Sequence, residues 1–162
     1  MGTQRNRKAH SYVVRNNRKR LRHLLGKHPE LRTSCEAWIV AAAVLNNPGI
    51  LTWLFQRGVS PDSRLSANGD TPLMLAVSLG DLPVMRTLLE HGADPNAENS
   101  DGDNAFLRAI REKQADAMRL LAEFGADFNH LDDSELWYIR DTNWSEGLAV
   151  LSELQITLPT SP

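Results

Sequence analysis

The stretch NGDTPLMLAVSLGDLPVMRTLLEHGADPNA, residues 68–97, reads as a turn, two short helices and a second turn. Thr71 and Pro72 open the first helix. Proline is tolerated in a first turn, where its missing N–H costs nothing, and a threonine oxygen can accept from a free amide. Leu73, Leu75 and Ala76 supply the inward face. Gly80 and Asp81 close the helix, because glycine takes a positive φ with little strain. Pro83 starts the second helix, Val84, Leu88 and Leu89 form its apolar stripe, and Gly92 ends it.

The chain says this again. A shift of 33 residues lays Gly69 on Gly102, Ala76 on Ala109, Met85 on Met118 and Leu88 on Leu121. The same shift lays Gly92-Ala93-Asp94 on Gly125-Ala126-Asp127 and Asn96 on Asn129. Turn residues and apolar residues match in one register, which is the mark of a repeat array. Backward, LFQRGVSPD (residues 54–62) answers LLEHGADPN (residues 88–96) at an offset of 34, so Ala42 answers Ala76 and Ile50 answers Val84. Beyond these units only apolar spacing continues: Val13, Leu21, Leu24 and Leu25 at one end, Leu148, Leu151 and Leu154 at the other. Residues 13–25 read as one amphipathic helix, and DTNWSE (residues 141–146) reads as a lengthened turn between two last helices.

The quoted stretch resembles the ankyrin repeat, whose pattern runs G-x-TPLH-x-A, then G, then V-x-x-LL-x-x-GAD-x-NA. Residues 68–97 match it nearly throughout, residues 101–130 match in their second half, and residues 35–64 match moderately. Met74 stands where the family usually has histidine, and NAFL (residues 104–107) replaces the TPLH segment. The resemblance implies an all-α solenoid of about five helix-turn-helix units at 10–31, 35–64, 68–97, 101–130 and 132–157, the outer two as caps. Residues 10–157 would then form a single domain, between a flexible basic tail over 1–9 and a short tail over 158–162. One helix pair leaves an apolar flank exposed, and stacking neighbours covers it.

Charge is segregated along the chain. Net charge is -2, but residues 1–32 hold ten of the 18 Lys and Arg and one of the 20 acids, so that segment is +9 and the remainder -11. The basic start has no apolar core of a secretory signal. The longest apolar run, AWIVAAAVL over residues 37–45, is too short for a membrane span of about 20 residues. Cys35 is the single cysteine, so no internal disulfide forms, and burial as a small apolar residue fits it better than nucleophilic chemistry. A reducing compartment, the cytoplasm, is the expectation.

Chemistry finds no foothold in the pattern. His10, His23, His28, His91 and His130 are scattered without metal-ligand spacing. Residues 98–110, ENSDGDNAFLRAI, place acids around one glycine but lack calcium-loop spacing, so they read as a repeat turn. A non-catalytic protein with no cofactor, no metal, no small-molecule substrate and no membrane partner is expected.

The resemblance implies instead a concave binding face made of turn tips and first helices. Carried over by register, Asn68, Asp70, Asp101, Asp103 and Asp133 stand at turn tips, and Ser78, Leu79, Arg111 and Glu112 on first helices. His91 and Phe124, at the ends of second helices, and Trp144 in the last unit complete the candidate face. The acidic tips suggest a partner protein with a basic patch, anchored by Leu79 and Phe124. Protein binding is the expected function, most concretely as an inhibitor or immunity-type protein neutralising a cognate enzyme or toxin, since the arrangement resembles that of some small bacterial ankyrin proteins that serve so. An adaptor or scaffold is the alternative. A nucleic-acid-associated protein using the basic N-terminal segment is another; the acidic remainder and a solvated helix face weigh against nucleic acid.

Overall fold

The computed structural model describes residues 2–15, 17–28, 40–41, 48–128, 131 and 133–158. Cys35, Ala42, Asn129 and His130 lie outside the described residues. Among the described residues there are helices and turns and no strand. The helices are α1 (Gly2–Val14), α2 (Arg18–Lys27), α3 (Leu51–Phe55, entered by a 3-10 turn at Pro48–Ile50) and α4 (Pro72–Leu79). They continue as α5 (Leu82–Glu90), α6 (Ala105–Arg111), α7 (Ala115–Glu123), α8 (Asp133–Asp141) and α9 (Ser145–Glu153).

Two layers result. First helices stack as α4, α6 and α8, and second helices stack as α3, α5, α7 and α9. Leu73, Ala76, Val77, Leu88, Ala109, Ile110, Met118 and Leu121 are fully buried between them. The small Ala76 and Ala109 are both fully buried, at equivalent places of the 33-residue register.

Local chemistry sets each helix. Thr71 Oγ1 accepts from the Met74 N–H at 3.3 Å, and the Thr71 N–H lies 3.5 Å from the Met74 sulfur, so a thioether occupies the place of the family's histidine. One unit on, Asn104 does the capping, its Oδ1 accepting from Leu107 N–H at 2.9 Å. The poor sequence match at NAFL therefore conserves the cap with different atoms. Gly80 ends α4 at φ 65, and its equivalents Lys113 and Asn143 adopt the same left-handed geometry at φ 54 and 47.

Three expectations change. The segment 13–25 is not one helix: the chain breaks after α1, and Asn17 Oδ1 caps α2 by accepting from Arg20 N–H at 3.1 Å. Asparagine competes with the helix for its own backbone amides, which favours such a break. The tail expected over 1–9 is helical from Gly2, and Ala9 and Val13, four residues apart, are buried on one face of α1. Finally, equivalent turn bonds run from Asp81 N–H to Ala76 O, from Gln114 N–H to Ala109 O and from Trp144 N–H to Ile139 O. The last step is thus 30 residues rather than 33, and the turn ahead of α8 is three residues short. The turn over 142–144 has three residues, as 112–114 has, and is not lengthened.

Candidate partner-binding face

Two extended turns form the upper edge. Leu65 N–H donates to Asp70 O across the first at 2.8 Å, and Asn99 N–H donates to Asp103 O across the second at 2.8 Å. The turns are tied to each other: Ser100 N–H donates to Asn68 O, and Asn68 Nδ2 donates to Asp101 Oδ2, both at 2.8 Å. Asn99, 8% exposed, is the centre of this lattice. Its Oδ1 accepts from Asp101 and Asp103 N–H groups at 2.9 and 3.0 Å, and its Nδ2 donates to Asp70 at 2.8 Å. Sequence reasoning missed Asn99. The signal was Ser66, 33 residues earlier, whose Oγ accepts from Asp70 N–H at 3.1 Å.

The acidic tips do not form a free row. Asp70 Oδ1 accepts from Arg108 Nη2 at 3.2 Å. Both oxygens of Asp103 lie 2.6 Å from Arg111 Nη1, and Glu135 lies 3.9 Å from the same guanidinium. The hydrogen bond to Asp103 is the main reason that Arg111 is held above its ordinary pKa. Asp133 is not at a tip; it lies exposed in the first turn of α8, because the last step is three residues shorter than the 33-residue register. Of the four expected tip acids only Asp101, paired to an amide, remains exposed at an extended turn. The expected acidic edge is therefore largely compensated by arginines of the first helices.

What the first-helix face presents is mixed. Ser78, Arg111 and Glu112 are exposed at the ends of α4 and α6. Leu79 is 49% exposed and Tyr138, on α8, 37%. The Tyr138 hydroxyl reaches Arg111 O at 3.4 Å, and the Lys113 ammonium lies 5.7 Å from its ring. Tyr138 was not among the residues singled out from sequence; the 30-residue step hides its equivalence to Arg108.

Three candidates fall elsewhere. His91 ends α5 against Phe55 of α3, with ring centroids 5.2 Å apart and Nδ1 2.8 Å from Thr87 O. Phe124 ends α7 beneath Arg86 of α5, 5.8 Å from its ring. Both belong to the second-helix layer, so neither joins Leu79. Trp144 is 9% exposed and packs on Gly147, which removes its indole from any surface.

The second-helix layer carries its own ladder. Arg86 grips Glu123 at 3.1 and 3.2 Å, and Arg119 grips Glu153 at 2.8 and 3.1 Å. Hydrogen bonding from the arginines lowers the pKa of both glutamates. Below it, Asp94 N–H donates to Asp62 Oδ1 at 3.0 Å and Asp127 N–H to Asn96 Oδ1 at 2.7 Å, the same bond one unit apart. Burial pushes the Asp62 carboxyl up, with the bond from Asp94 opposing.

Among the described residues no group of three or more His, Cys, Asp or Glu is placed to hold a metal. Among them, too, no helix is long and apolar enough to cross a membrane. The arrangement offers a preorganised surface of hydrogen-bonded turns and two uncovered apolar side chains.

Known proteins share this pattern. The family described as ankyrin repeats (3 copies) matches residues 38–132. A putative ankyrin repeat protein of fowlpox virus (strain NVSL) is 36% identical over 72 residues, 44% of this chain and 16% of the viral protein. An ankyrin repeat and KH domain-containing protein of Caenorhabditis elegans is 36% identical over 62 residues, 38% of this chain and 2% of the nematode protein. The chain thus matches only a small part of each of these relatives.

Proposed function

Because the chain belongs to the ankyrin repeat family, we propose that it is a non-catalytic protein–protein interaction module that binds through its first-helix face. The observation that carries this reading is the exposure of Leu79 and Tyr138 beside Ser78, Arg111 and Glu112. Large apolar side chains on an otherwise polar, well-bonded face are what an interface core uses. The turn acids that pair with Arg108 and Arg111 hold that face rigid, so little ordering accompanies binding. A partner fitting it is a protein, and no small molecule, metal, cofactor or membrane enters the reading. A basic patch on the partner is not required, since the tip charges are compensated internally.

The most concrete form of the proposal is an inhibitor or immunity-type protein acting in the cytoplasm by covering a cognate enzyme or toxin. Affinity capture with Leu79→Asp/Tyr138→Asp as the control variant tests it. A single protein, lost with the variant and losing its activity at equimolar ratio, supports the inhibitor. Several partners lost together support an adaptor. Partners retained by the variant overturn the assignment of this face.

A further inference from the structure

The α1–α2 cap is the region that the function above leaves unused. Its break at Asn17 folds what looked like one solvated helix into a hairpin, and the hairpin borders an open cleft of about 560 Å³. The walls come from side chains at helical spacing: Lys8 and Tyr12 on α1, Lys19, Arg20, His23 and Leu24 on α2. Lys8, Lys19, Arg20 and His23 are exposed, and among the described residues no carboxylate pairs with them within 4.0 Å. Every arginine of α4 to α7 has such a partner, Arg86, Arg108, Arg111 and Arg119 alike. Among the described residues, the cap's cations therefore lack the internal compensation used elsewhere.

The acidic body does not cancel them. Residues 33–64 carry Glu36 and Asp62 against Arg57 and Arg64, a net charge of zero, so the whole -11 lies in residues 65–162. In sequence, one neutral unit separates the cap from the acids. Stacked helices lie roughly 10 Å apart, and ionic screening at physiological salt acts over about 8 Å. The cap's potential is therefore its own.

We propose that this cleft binds a short segment of single-stranded nucleic acid, its phosphates on Lys8, Lys19 and Arg20 and a base against the half-buried ring of Tyr12. Cations lining a groove with an aromatic face among them are what single-strand recognition uses. A duplex keeps its bases stacked away from Tyr12. An acidic peptide engages the cations alone and leaves the aromatic ring without a role.

The probe is a fluorescein-labelled octamer of deoxythymidine, read by anisotropy with the full-length protein. With three phosphate contacts the slope of log affinity against log salt is about -2, so affinity falls roughly 20-fold between 50 and 200 mM. Lys8→Glu/Lys19→Glu/Arg20→Glu abolishes binding. Tyr12→Ala weakens it about 5- to 150-fold and Tyr12→Phe restores it. The cations are exposed, and unchanged far-UV circular dichroism shows that the cap of each variant remains folded. Leu79→Asp, on the protein-binding face, leaves oligonucleotide binding intact. No binding at 20 mM salt overturns the proposal. So does poly-glutamate binding as tightly as the octamer with no effect of Tyr12→Ala, which assigns the cleft to an acidic protein.

Discussion

Replacing Gly147 by alanine is the sharpest test of how the last unit is built. Gly147 lies in the first turn of α9, where a glycine is ordinarily a weakness: alanine in a helix is favoured by roughly 0.5–1 kcal/mol. Here a Cβ would stand 2.3 Å from Trp144 Cε3, 2.6 Å from Cδ2 and 2.7 Å from Cζ3. Carbon atoms in contact prefer about 3.5–4 Å, so the indole has to retreat by more than ~1 Å. The backbone of Trp144 cannot follow freely, because its N–H is bonded to Ile139 O at 3.3 Å and its carbonyl accepts from Leu148 N–H at 3.0 Å. Overpacking of this kind costs about 1–3 kcal/mol. Net of the helical gain, Gly147→Ala destabilises by about 1–2 kcal/mol, a fall in Tm of about 3–6 °C for a chain of this size. In a Trp144→Ala background the clash is gone and Gly147→Ala stabilises by about 0.5–1 kcal/mol, so the sign reverses. Urea unfolding followed by circular dichroism reads the cycle, and amide exchange in α8 and α9 shows whether the terminal unit opens first. A stabilising Gly147→Ala in the unmodified protein refutes the argument and returns Trp144 to the surface.

Asn99→Ala removes three hydrogen bonds at the hub of the turns and lowers stability by about 2–4 kcal/mol in urea unfolding; a loss under 1 kcal/mol means that the turns hold without it. Asp62→Asn raises stability at pH 7. The folded carboxyl sits above its unfolded value near 3.9, so the wild type loses stability as pH rises through that window, while asparagine keeps the bond to Asp94 as Asn96 keeps its own to Asp127. The gain in Tm vanishes near pH 3, and a gain equal at both pH values contradicts the assignment. Glu123 and Glu153 behave oppositely. Their folded values are lowered, so their contribution is complete above the unfolded value of about 4.3 and is lost as pH falls through the folded ones. Glu123→Gln/Glu153→Gln should flatten the acid limb of the stability profile, and an unchanged limb places the loss in other groups.

The repeat was legible because two kinds of residue kept one register. Gly69 and Gly102 both take φ 79, and Ala76 and Ala109 are both fully buried, so the 33-residue match reported geometry and packing together. Helical periodicity separates buried from exposed positions, but it does not say which exposed side of the stack a residue joins. Phe124 and His91 went astray for that reason, since the end of each of these second helices packs on the second helix before it. The acids were found, but their partners lie 38 residues away for Asp70 and 8 for Asp103, distances fixed only by stacking. Trp144 was misplaced because three missing residues shift the last unit out of register.

The two exposed surfaces differ in the physics that each has left to use. At the first-helix face Arg108 and Arg111 are already claimed by Asp70 and Asp103, so a partner gains little by bringing charge. Its affinity has to come from covering Leu79 and Tyr138, an apolar term that salt hardly screens. At the α1–α2 cap no carboxylate among the described residues pairs with the cations that line the cleft, and their attraction for phosphate weakens steeply with ionic strength. Salt therefore separates the two readings within one chain. A protein complex on the first-helix face persists from 50 to 500 mM salt, whereas an oligonucleotide on the cap is released well before that. A protein complex that dissolves with salt as the oligonucleotide does would move the partner from Leu79 and Tyr138 to the cap.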